Sequence, residues 1–116
     1  MSRLPVKKTY KLFIGGAFPR SESGRTYEAE GQNIAWASRK DARDAVVAAR
    51  AAQPKWASAT AYNRGQVLYR VAEMMEARVK EFAGLCSGKD EVHRAIDRWV
   101  WYAGFADKLA QVLGHP

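Results

Sequence analysis

The sequence predicts an α+β fold in which a small β layer with an N-terminal hairpin precedes three main helices. Three observations carry that reading. Glycines punctuate strand-type residues in the first third, composition turns alanine-rich at Ser38, and a regular apolar spacing runs through the last quarter of the chain. With 116 residues, 47% of them of hydrophobic type, the chain can build one core but not separate cofactor and substrate lobes. A single domain over 1–116 is expected, with the β layer in 1–37 and the helical part in 38–116.

The stretch Thr9–Ile14 carries aromatic and β-branched residues and meets Gly15-Gly16, after which Ala17-Phe18 resumes the apolar run before Pro19. A glycine pair supplies the positive φ of a two-residue hairpin turn, so a hairpin is expected there. Ser21–Gly24 reads as a second turn. Arg25–Ala29 and Asn33–Ala37 read as strands flanking Gly31, which predicts an antiparallel layer.

Ser38-Arg39-Lys40-Asp41 has the form of a capping box and opens a first helix. Its small-residue stripe of Ala42, Ala45, Val46, Ala49 and Ala52 is suited to close packing, and Gln53-Pro54 is expected to end it. Ser58 and Thr60 are alternative caps for a second helix. Its face runs through Val67, Leu68, Val71, Met75, Val79 and Phe82 to a stop at Gly84 or Gly88. The third helix follows from Val92, Ile96, Trp99, Ala103, Ala106, Ala110 and Leu113, spaced 4, 3, 4, 3, 4 and 3 residues apart. Asp90 can cap its start, and Gly114 with Pro116 signals its end. The seam of this helix against the second, closed by the alanine stripe, is the expected core. Trp101, Tyr102 and Phe105 widen the apolar arc beyond what one neighbouring helix covers, so part of it should face another element or another chain.

Lysine and arginine number 19 against 12 acids, a formal charge of +7, with a sequence pI near 9.8. A basic balance raises the question of nucleic acid, but the charges are scattered and interleaved, as at Arg39, Lys40, Asp41, Arg43 and Asp44. That pattern describes a solvated helix face. No apolar run approaches the ~20 residues of a membrane span, and no signal peptide is evident, so a cytoplasmic location is expected. The lone Cys86 provides neither an internal disulfide nor a metal-ligand pair.

Residues 84–89 superficially suggest a phosphate-cradling loop. The glycines are one residue too close, Asp90 replaces the hydroxyl residue, and the segment follows a helix where the motif follows a strand; a helix-ending loop is favoured. Cys86 lies near Lys89 and His93 in sequence, but a lone cysteine at a helix end reads as a small apolar residue rather than a nucleophile. His93 and His115 have no metal-ligand spacing around them. Glu73 with Glu76, or Asp97 with Asp107, could form a carboxylate pair, yet their neighbours, such as Lys80 four residues after Glu76, favour surface ion pairing. Trp99, Trp101, Tyr102 and Phe105 could stack bases, but aromatic residues at helical spacing favour packing.

In its order of signals the chain resembles the amino-terminal segment of the NAD(P)-dependent aldehyde dehydrogenase family. The resemblance rests on residues 11–18, the turn 21–24, the run 38–50, Trp56, the helix 63–72, and Trp101-Tyr102-Ala103-Gly104-Phe105-Ala106-Asp107-Lys108. Phe105 stands where the family usually has tryptophan, and the stretch from Phe82 to Val92 is shorter than the family's connection. The resemblance implies an α+β fragment of an enzyme that oxidises aldehydes to carboxylic acids with NAD or NADP. It also implies that the cofactor sheet, the nucleophilic cysteine and the water-activating glutamate belong to later sequence. No catalytic, cofactor-binding or metal residue is therefore assigned, Cys86 does not match the nucleophile's motif, and no cofactor is expected to bind this chain alone. The partners expected are the remainder of an aldehyde dehydrogenase, or a second copy through the aromatic helix. A small basic module for nucleic acid or an acidic protein is the alternative.

Overall fold

The computed structural model describes residues 2–114, so His115 and Pro116 lie outside the described residues. They divide between Lys55 and Trp56 into two compact units.

In the first unit, β1 (Thr9–Tyr10), β2 (Thr26–Ala29) and β3 (Gln32–Ala35) form a sheet in the order β1-β3-β2. The β2–β3 pair is antiparallel, with Tyr27 opposite Ile34 and Ala29 opposite Gln32. It turns through Glu30 and Gly31 at φ 50° and 77°, the paired positive values that match the twist of a hairpin. The β1–β3 pair is parallel, Thr9 opposite Asn33 and Tyr10 opposite Ile34, with the Asn33 amide donating to the Thr9 hydroxyl at 2.8 Å. The layer is thus mixed rather than antiparallel. Its cause lies in the segment after Tyr10, which doubles back on itself and leaves the chain to return along β2 before β3 takes the central place.

That doubling back is the expected glycine hairpin in its smallest form. Gly15 and Gly16 have φ 63° and 79°. Ile14 and Ala17 exchange backbone hydrogen bonds at 3.0 and 3.1 Å, the Leu12 N–H donates to the Pro19 carbonyl at 3.1 Å, and the Phe13 and Phe18 rings pack at 4.9 Å. Strand structure nevertheless stops at Tyr10, short of the expected Ile14.

Helix α1 (Arg39–Ser58) passes through Pro54 rather than ending there. Proline removes one N–H, the one that would meet the Arg50 carbonyl, and on an exposed helix water can satisfy that carbonyl. The expected stripe of Ala42, Ala45, Val46, Ala49 and Ala52 is exposed and closes no core. Among the apolar side chains of α1, Ala48 is half-buried, its Cβ 3.8 Å from where a side chain on Gly15 would begin.

The second unit holds α2 (Ala61–Glu76), α3 (Val79–Ala83), α4 (Lys89–Phe105) and α5 (Leu109–Leu113). Of the two expected caps it is Thr60 that begins α2, its hydroxyl accepting from the Asn63 N–H at 3.1 Å. The second expected helix breaks at Ala77-Arg78, where Arg78 leaves the helical region at φ −123°. The break turns α3 so that Val79 and Ala83, with Met75, pack on the buried cluster of Ala72, Val92 and Ile96. Val67 and Phe82, expected on that face, are exposed. In their place Gly65 is buried, and its backbone comes so close to α4 that a Cβ would sit 2.8 Å from the Ala103 carbonyl oxygen.

The third expected helix is also interrupted. Lys108 takes φ −110° and its ammonium closes the end of α4 on the Gly104 carbonyl at 2.9 Å. Gly88, rather than Asp90, is the N-cap of α4 and offers no side-chain bond. The reciprocal half of a cap comes from Glu91, which accepts from the Ser87 N–H at 2.9 Å and the Ser87 hydroxyl at 2.6 Å.

Candidate functional site

The loop over 84–89 joins α3 to α4, as a helix-ending loop does. Cys86 is exposed and its thiol lies 3.6 Å from the Gly88 carbonyl. The nearest carboxylate, Glu91, is held below the usual carboxylate range chiefly by the Ser87 hydroxyl and then by the Ser87 N–H. It therefore serves as a cap and is poorly suited to take a proton from the thiol. Lys89 and His93 line an open hollow with Glu76, Arg78, Lys80 and Glu81, where α2 gives way to α3 and α4 begins. Two carboxylates stand against three strong cations there, which leaves only a small positive excess in an open hollow. No group of three His, Cys, Asp or Glu side chains able to hold a metal occurs among the described residues.

The carboxylates considered as pairs are drawn elsewhere. Glu73 meets Arg70 at 3.3 Å and Asp107 meets Lys108 at 3.1 Å, both on the surface, where such pairs are worth under about 1 kcal/mol. Glu76 and Lys80 form no ion pair, because the break at Ala77-Arg78 removes the helical turn that would have stacked them.

One polar centre escaped the sequence reading. Asp41 is 5% exposed. It forms the expected capping box, accepting from the Ser38 N–H at 2.9 Å while its own N–H donates to the Ser38 hydroxyl at 3.2 Å. Beyond that, it accepts from the Ser21 hydroxyl at 2.6 Å and the Glu22 N–H at 3.1 Å. The Ser21 hydroxyl first, then the Ser38 and Glu22 N–H groups, lower its pKa to about 2. The carboxylate ties the 21–24 turn to the start of α1. A serine-bearing turn upstream of a capping box was the available signal, but sequence alone does not say that the two meet.

The aromatic residues of α4 do gather. Trp101 stacks on Phe105 at 5.1 Å with 19° between the rings and meets Tyr102 edge-on at 5.1 Å. Trp101 and Tyr102 remain 62% and 58% exposed. Beside them Leu68 of α2 with Ala95, Arg98, Trp99 and Tyr102 of α4 lines an open, largely apolar groove. Continuing along the chain, Leu109, Val112 and Leu113 of α5 are exposed as well. Large apolar side chains thus meet solvent along α4 and α5.

Comparison with known proteins gives the family and the fold. Residues 25–114 match the family model described as "Aldehyde dehydrogenase family". Human mitochondrial 10-formyltetrahydrofolate dehydrogenase is 30% identical over 94% of this chain, which corresponds to 14% of the relative. Alpha-ketoglutaric semialdehyde dehydrogenase of Bacillus subtilis is 31% identical over 90% of this chain and 25% of its own. The crystal structure of an NAD-dependent aldehyde dehydrogenase from Sinorhizobium meliloti superposes with a TM-score of 0.78 at 25% identity, covering 89% of this chain and 24% of that one. The likeness is to the N-terminal region of that fold. This chain thus spans between about a seventh and a quarter of the length of these proteins.

Proposed function

The chain belongs to the aldehyde dehydrogenase family, and from that premise we propose that it is a scaffold segment of an NAD(P)-dependent oxidoreductase, without turnover of its own. The observation that carries this reading is length. The chain matches 14% of one relative and 25% of another, and the reaction needs a dinucleotide immobilised on a βαβ unit with a nucleophile beside the carbonyl.

The described residues do not fit a dinucleotide seat. Gly15-Gly16 and Glu30-Gly31 turn between antiparallel partners, so neither places a helix N-terminus against a pyrophosphate. No catalytic step is therefore derived from this chain. What it contributes in the proposal is packing surface for the parts of a dehydrogenase that hold NAD or NADP and attack the aldehyde. A cytoplasmic setting belongs to the same reading, in keeping with a single exposed thiol.

The test is direct. Incubated with NAD or NADP and a series of aldehydes, the purified chain should produce no reduced nicotinamide above the reagent blank. Equilibrium dialysis should likewise show no stoichiometric dinucleotide. Turnover that disappears in Cys86→Ser would overturn the proposal. The charge of +7 supports the competing reading of a basic binding module. Capture of a random DNA duplex at physiological salt, weakening steeply as salt rises, would replace the scaffold with that module.

A further inference from the structure

We draw no further inference here: the strongest candidate, the open hollow where α2 gives way to α3 and α4 begins, rests on the exposed side chains of Arg78, Lys80, Lys89 and His93 beside Glu76 and Glu81, and nothing in the structure shows what covers it.

Discussion

Two residues set constraints that their chemistry alone does not announce. Asp41 accepts four donor groups, from Ser21, Glu22 and both the N–H and hydroxyl of Ser38, and each favours the ionised form. Its folded pKa of about 2 lies below the ordinary 3.8, so as pH falls the unfolded chain takes up the proton first. The stability it contributes is complete above 3.8 and is lost as pH falls from there through about 2. A melting series across that window should show the loss in the wild type and little of it in Asp41→Asn, whose midpoint at neutral pH should already be lower. Gly65 is constrained by space. A Cβ there would meet the Ala103 carbonyl at 2.8 Å and the Ala106 Cβ at 3.5 Å, neither of which is a flexible side-chain tip. Gly65→Ala should therefore separate α2 from α4 and cost about 1–3 kcal/mol in urea unfolding, despite alanine's better helix propensity.

Among the elements, caps and turns were more legible than lengths. Thr60→Ala removes the hydroxyl that accepts from Asn63 at the N-cap of α2 and should cost about 1 kcal/mol in the same urea titration. The capping box at Ser38, the glycine hairpin and the Ser21–Gly24 turn could be read from sequence because each depends on neighbours within a few residues. The 92–96 part of the apolar seam was equally plain, because period 3–4 spacing names a face whatever it packs on. Local rules could not show β1 joining β3 in parallel, a pairing of residues 24 apart, nor Asp41 reaching back to Ser21. The breaks at Arg78 and Lys108 were hidden for another reason. Neither site carries proline or glycine, and apolar periodicity runs on through both, so nothing in the pattern marks the φ change. Pro54 erred in the opposite direction, because a strong breaker on a solvated helix costs one hydrogen bond and the helix continued.

For the whole molecule, the family was legible and the role of this chain was the harder question. Order and spacing of motifs carried the family, and the match over 25–114 agrees. The buried apolar cluster is small, being Ala72, Val92 and Ile96 in the second unit, while Trp101, Leu113 and many other large apolar side chains meet solvent. Exposed surface of that kind predicts that the chain binds a hydrophobic dye, with emission well above that of a fully covered globular protein at the same concentration. Cys86, the one thiol of the chain, sits exposed between α3 and α4. Air oxidation can link two copies through it and imitate assembly, whereas a maleimide fluorophore attached there would block that artefact and report on proximity from a single defined position.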